Sequence, residues 1–112
     1  MLLQPPPSFP TLDITLSLEA DRATADLTGE LDYATAAHLH EVIDQLLLDD
    51  HRHITLQLSG LEFLSASGIG AIAQGAAACI LQGGSLALTG TAPHIRRVLR
   101  LTDQHHLITD EP

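Results

Sequence analysis

The chain has 112 residues, 45% of them hydrophobic, with 14 acidic residues against 5 arginines and no lysine. That length allows one compact domain with a core of its own and leaves little room for a second. The formal charge of −9 disfavours nucleic-acid binding, which depends on cationic contacts to phosphates, and suits a basic partner surface.

The ends of the chain and its single cysteine predict a cytoplasmic protein. Residues 1–11 are rich in proline and lack a basic segment, so we expect a flexible tail and not a signal peptide. Cys79 alone cannot build a disulfide framework. The apolar run at 69–81 is shorter than the ~18 residues of a membrane span, so no membrane insertion is expected. The folded domain is expected at 12–109, before an acidic end at 110–112.

The first half of the chain predicts a β-hairpin followed by a helix. Residues 12–18 and 22–28 alternate apolar and polar side chains, as half-buried strands do, and a short acidic turn joins them. From Tyr33 to about Leu48 the apolar residues recur at helical spacing. Asp32 is a candidate N-cap, because its carboxylate can accept amide hydrogens of the first helical turn.

The second half alternates strands with helices. Residues 53–58 and 85–89 carry leucine and β-branched side chains and predict strands. Between them, a loop at 59–67 leads into a helix of small residues from Gly68 to Leu81. Small side chains allow this helix to approach a sheet or a partner closely. Residues 82–84, Gln-Gly-Gly, end it in the manner of a C-cap.

The order of the elements predicts the fold class. Pro93 suits the first position of a third helix, and a brief last strand is expected at 107–108. The resulting order, β-β-α-β-α-β-α, implies parallel pairing with right-handed crossovers after the opening hairpin. We therefore expect an α/β fold: a small mixed sheet, with an antiparallel hairpin plus parallel strands, and about three to four packed helices.

The segment LEFLSASGIGAI, residues 61–72, invites a nucleotide-binding interpretation. Gly68, Gly70 and Ala73 fit the dinucleotide pattern G-x-G-x-x-A at the start of a helix. That pattern requires a tight turn directly after the strand, yet the sequence places residues 59–67 between them. It also requires an acid about 20 residues later, which is missing here. A phosphate-loop lysine is impossible in this chain.

Catalytic and metal-binding interpretations are also weak. A nucleophile elbow would need glycine at position 65, where Ser65 stands, so Ser65 or Ser67 is expected to cap the helix. Glu30 and Asp32 are expected to be a solvated loop residue and a cap, and not an acid–base pair. The seven histidines do not show the spacing of a ligand set. No catalytic residue, metal or cofactor is predicted.

Three stretches of the sequence resemble the STAS family, the domain shared by anti-sigma factor antagonists and the tails of sulfate transporters. LTGELDYATA at 27–36 is similar to the family's strand-end signature. HITLQLSGLEFLSASGIGAI at 53–72 resembles its central strand, loop and second helix, and TAPHIRRVLRLT at 91–102 resembles its third helix. Together they cover roughly residues 12–109 in the expected order.

The resemblance implies a binding function without catalysis. Such domains bind an anti-sigma factor, itself a serine kinase of the ATPase fold shared by gyrase and histidine kinases, and so release a sigma factor. The kinase phosphorylates a serine before the second helix, and the added charge dissociates the complex. The resemblance places the partner-binding surface at Glu30 and Asp32 and at the start of the second helix, namely Ser65, Ala66, Ser67, Gly68, Ile69 and Gly70.

The sequence departs from the family at the phosphate acceptor. The family's loop reads D-S-S-G or D-S-T-G, and aligned on Gly68 the acceptor position is Ala66, which cannot take a phosphate. Three interpretations follow: a constitutive antagonist, phosphorylation at Ser67 or Ser65 instead, or a scaffold or adaptor subunit of a signalling assembly or a lipid-transport ATPase complex. The first is preferred, because a kinase that positions its acceptor should discriminate against a one-residue shift.

Overall fold

The computed structural model describes residues 11–109, so residues 1–10 of the tail predicted at 1–11, and the acidic end at 110–112, lie outside the described residues. The strands are β1 (Leu12–Glu19), β2 (Arg22–Leu31), β3 (His53–Leu64) and β4 (Ser85–Thr89). The helices are α1 (Ala36–Leu48), α2 (Ala66–Leu81) and α3 (Pro93–Leu101), and a 3-10 turn spans His105–Leu107. Across residues 11–109, no helix has the length and apolar character that a membrane span requires.

The four strands form one mixed sheet in the order β1-β2-β3-β4. β1 pairs antiparallel with β2, and β2, β3 and β4 then run parallel. Alternate side chains of β2, β3 and β4 are buried on one face, where the strand register aligns Ala25, Leu56 and Leu88. The other face carries polar residues such as Thr24 and Thr55. The predicted fold class is confirmed.

The helices cover the apolar face of the sheet. The stripe predicted for α1 is confirmed, since Leu39, Ile43 and Leu46 are buried in the core. α2 packs against α1, β3 and β4. A Cβ added to Gly75 of α2 would lie 2.6 Å from Cδ1 of Ile43, so the small residue allows the two helices to approach closely.

The prediction that β3 ends at residue 58 is wrong, because the strand continues to Leu64. The β2–β3 register shifts between Asp26 and Thr28 and again between Gly29 and Glu30. Each shift inserts an extra residue into β3, and the positions that face the core change from Ile54, Leu56 and Leu58 to Leu61 and Leu64. The strict alternation on which a strand prediction depends is therefore lost at the bulges.

The helix starts and the last strand also differ from the predictions. α1 begins three residues later than predicted, at Ala36, because residues 32–35 form a separate turn. α2 begins two residues earlier than predicted, at Ala66. The last strand is reduced to one parallel bridge between Leu88 and Ile108, and the residues before it form the 3-10 turn.

Candidate partner-binding surface

The fold brings the two predicted site segments together. β2 and β3 are parallel neighbours, so their carboxyl ends lie at the same edge of the sheet. The amide of Ser65, just after β3, donates a 3.0 Å hydrogen bond to the carbonyl of Leu31, the last residue of β2. Glu30 and Asp32 therefore lie beside the start of α2, as the sequence predicted.

The segment after β2 is held by a buried threonine. The Thr35 hydroxyl donates to the carbonyl of Glu30 at 2.8 Å and accepts from the amide of Asp32 at 3.0 Å. Oδ1 of Asp32 accepts from the amide of Thr35 at 3.1 Å. Asp32 thus caps this turn, and the N-cap of α1 is Thr35, which corrects the predicted cap. The turn fixes Tyr33 at its tip.

The start of α2 is fixed by a serine and a glycine. Ser65 is the N-cap, and its Oγ accepts a 3.2 Å hydrogen bond from the amide of Gly68, which confirms the capping prediction. Gly68 lies directly against the end of β2: a Cβ there would be 2.5 Å from the carbonyl oxygen of Leu31 and 2.9 Å from Cδ1 of Leu64. Only glycine fits this approach without displacing its neighbours.

The predicted site residues of α2 divide into an outer and an inner set. Ala66 and Ser67 are exposed, and Gly70 is half-buried with no atom within 4 Å of the position that a Cβ would occupy. Gly68 and Ile69 are buried, and Gly68 lies against the ends of β2 and β3. The outer set offers surface, and the inner set holds the helix in place beneath it.

Two exposed aromatic side chains next to this surface were not predicted. Tyr33 is 85% exposed at the tip of the turn after β2, and Phe63 is 48% exposed on β3, paired in register with Glu30. The sequence contains three aromatic residues in all, so the presence of two beside the site was a usable signal. The sequence prediction places Tyr33 in α1 and Phe63 in a loop, and so does not identify either as part of the surface.

The connection between β3 and α2 is shorter than the sequence predicts. The sequence placed residues 59–67 between strand and helix, but only Ser65 separates β3 from α2. Both glycines of the pattern nevertheless lie inside the helix, and no glycine forms the turn that would cradle a phosphate. The absence of an acid about 20 residues later also stands.

A serine, a histidine and an aspartate meet at the opposite end of the sheet. Nδ1 of His53 lies 3.0 Å from Oγ of Ser85, and its Nε2 lies 3.7 Å from Oδ2 of Asp21. The longer distance exceeds a hydrogen bond, so the contact that orients the imidazole in a catalytic triad is missing. Among residues 11–109, no three histidine, cysteine, aspartate or glutamate side chains converge as metal ligands.

Comparison with known proteins identifies the family to which this fold belongs. The sequence matches the family model described as "Mlab, STAS domain" over residues 14–109. The chain belongs to the STAS domain family. The STAS fold is also found in the unphosphorylated form of the anti-sigma factor antagonist SpoIIAA of Bacillus, which superposes with a TM-score of 0.79 at 19% identity and covers 89% of each chain.

Two further structures agree. An anti-sigma factor antagonist from Mycobacterium paratuberculosis matches with a TM-score of 0.78 at 20% identity, over 90% of this chain and 87% of that one. The STAS domain of an antagonist from Rhodobacter sphaeroides matches with a TM-score of 0.60 at 16% identity, over 70% and 86%. These likenesses establish the fold.

A sequence match of a different kind involves a much larger protein. A DNA ligase of Synechococcus sp. (strain CC9605) is 39% identical over 88 residues, which cover 74% of this chain. This chain spans only 12% of the ligase. The similarity is therefore confined to one segment of that protein.

Proposed function

We propose that this STAS domain is an anti-sigma factor antagonist, a cytoplasmic protein-binding module that sequesters a kinase-like anti-sigma factor and thereby frees a sigma factor. The observation that carries the proposal is the exposed surface at the carboxyl ends of β2 and β3. At that edge the turn after β2 carries the exposed Tyr33, the end of β3 carries the exposed Phe63, and α2 begins with small outer residues. Aromatic anchors next to a surface that permits close approach are typical of binding hot spots. The folds of the antagonists described above support this function.

The proposed contact surface consists of these exposed and half-buried residues: Glu30, Asp32, Tyr33, Phe63, Ser65, Ala66, Ser67 and Gly70. Gly68 and Ile69 act from below, by fixing the first turn of α2. The carboxylates of Glu30 and Asp32 would meet basic residues of the partner and would increase the association rate more than the affinity.

The proposed antagonist lacks the usual phosphoserine switch. Ala66, at the acceptor position, is exposed but has no hydroxyl. The hydroxyl of Ser65 is half-buried and caps the helix, which leaves Ser67 as the accessible hydroxyl of this segment. We therefore propose constitutive binding. Stoichiometric phosphoserine at 65 or 67 in protein isolated from its native cell would contradict it.

A pull-down with the tagged protein tests the function, because it identifies the proteins that bind to it. Native lysate is passed over it with ATP, with ADP and without nucleotide, and retained proteins are identified by mass spectrometry. We expect a protein with the kinase-like ATPase fold, held in a nucleotide-dependent way. No cofactor of this chain itself is involved, and no nucleic acid should be retained.

A second candidate is a scaffold or adaptor subunit of a signalling assembly or a lipid-transport ATPase complex. Two observations favour it: the matching family model carries the description Mlab, and position 66 is alanine. Retention of a transporter ATPase or a large multi-STAS assembly, whatever the nucleotide, would replace the antagonist proposal with this one.

Restoring the acceptor gives a sharper test of the switch. In Ala66→Ser, incubation with the retained kinase and ATP should yield phosphoserine at position 66 and release the partner. The unmodified chain should give neither result under the same conditions. Phosphate on the unmodified chain at a comparable rate would show that another serine serves as acceptor.

A further inference from the structure

The outer edge of β1 has no bulge, proline or lysine to protect it from pairing, although the strand carries Asp13 and Glu19. Within the part of the chain that the structure describes, β2 is the only strand hydrogen-bonded to β1. All eight residues of β1 stay in register with β2, with no bulge between them. The strand contains no proline and no lysine. Natural edge strands are usually shortened, bulged or charged to prevent pairing with another strand.

The register shows which backbone groups face outward. The carbonyl of Thr11 accepts a 2.9 Å hydrogen bond from the amide of Glu30, the residue opposite it in the ladder. In an antiparallel pair, the backbone amide and carbonyl of every second residue bond to the neighbouring strand. Those of the residues between them point to the opposite side. The even-numbered residues Leu12, Ile14, Leu16 and Leu18 therefore present their amides and carbonyls to the outer edge.

The same residues carry the apolar side chains of the strand. Leu16 and Leu18 lie opposite Ala25 and Ala23, whose side chains are buried on the helix-covered face. Leu16 is nevertheless 41% exposed and Leu18 55% exposed, because the helices do not cover this margin of the sheet. The edge thus offers outward backbone groups together with uncovered leucines.

We propose that β1 pairs antiparallel with β1 of a second copy of this chain, centred on Thr15, to give a continuous sheet across a two-fold axis. In this register Leu12 lies opposite the partner's Leu18, and Ile14 lies opposite the partner's Leu16. Each of these outward-facing pairs exchanges two backbone hydrogen bonds. The pairing covers the exposed leucines of both copies with apolar side chains.

Charge distinguishes this register from its neighbour. Centred on Thr15, Asp13 lies opposite the partner's Ser17, and Glu19 lies opposite the partner's Thr11. A register centred on Leu16 would instead place Asp13 opposite the partner's Glu19, and like charges in facing positions destabilise a strand pair. The strand is therefore self-complementary in both apolar pattern and charge. The inference does not depend on the proposed function, since it uses a different edge.

Sedimentation velocity of the full chain across about two decades of concentration tests the dimer. We expect a concentration-dependent monomer–dimer equilibrium that shifts toward dimer with added salt, because each copy carries a charge of −9. Leu18→Lys should weaken the dimer at least tenfold. The matched control is Leu101→Lys, since Leu101 is a 76% exposed leucine at the end of α3. A monomer at every concentration, or equal weakening by both variants, would overturn the proposal.

Disulfide trapping tests the register. Residues 15 of the two copies form a non-hydrogen-bonded pair, with Cα atoms roughly 4.5 Å apart, which a disulfide can bridge. Thr15→Cys should therefore give a covalent dimer at least tenfold faster than Ser17→Cys, which changes another exposed residue on the same face. Cys79 should not compete, because it is buried and burial raises the pKa of its thiol. Equal rates, or no covalent dimer, would contradict this register.

Discussion

The two ends of α2 both depend on glycine, but for different reasons. At the C-terminal end, Gly83 adopts φ +80°. The amide of Gly84 donates a 2.8 Å hydrogen bond to the backbone carbonyl of Cys79, as in a Schellman motif. A Cβ on Gly84 would also collide with the carbonyl of Arg52. At the N-terminal end, Gly68 is required by its contact with Leu31, but no feature of the fold requires Gly70.

This difference indicates which glycine is available for function. Of the four glycines at the two ends of α2, Gly68, Gly83 and Gly84 are explained by backbone conformation or by close contacts within the chain. Gly70 has ordinary helical backbone and open space around it, near the start of α2. A helix interior normally disfavours glycine. The proposed function accounts for the exception, because a partner can approach the helix closely at this point.

The largest expected effect is at the buried glycine of the N-terminal end. Gly68→Ala places a Cβ against the backbone of Leu31, which cannot move away as a flexible side chain could. We expect it to lower the free energy of unfolding by about 2–3 kcal/mol, measured by urea denaturation. If Gly68→Ala lowered the free energy of unfolding by less than Gly83→Ala does, the steric explanation would be contradicted.

At the C-terminal end the cost arises from backbone conformation alone. Gly83→Ala should lower the free energy of unfolding by about 1–2 kcal/mol, because alanine is strained at positive φ. Gly83→Asn is the matched control, since asparagine tolerates the left-handed region and should lose less. Equal losses for alanine and asparagine would show that φ is not the cause.

The smallest effect has the opposite sign. Gly70→Ala fills open space within a helix and should raise the free energy of unfolding by about 0.5–1 kcal/mol. Chemical denaturation of this variant and of Gly68→Ala, made by the same substitution two residues apart, gives a direct comparison. Destabilisation by Gly70→Ala would mean that position 70 is constrained by the fold after all.

The sequence predicted the fold better than the surface. Periodicity located every helix and all four strands of the sheet, because their buried stripes are regular. It fails where regularity ends: the two bulges in β3 obscure the second half of that strand, and the hydrogen bonds of Thr35 separate Tyr33 from α1. The exposed aromatics were missed for the same reason, since their exposure depends on those two irregular segments.

Two matched variants test most directly whether the start of α2 is the partner-binding surface. Gly70→Arg adds a large charged side chain at the outer N-terminal end, and Leu81→Arg adds the same side chain at an 86% exposed position at the other end of α2. We expect Gly70→Arg to reduce affinity for the retained kinase-like partner at least tenfold, a loss of about 1.4 kcal/mol, and Leu81→Arg to leave it unchanged. Unchanged binding by Gly70→Arg, or equal losses in both variants, would contradict the claim.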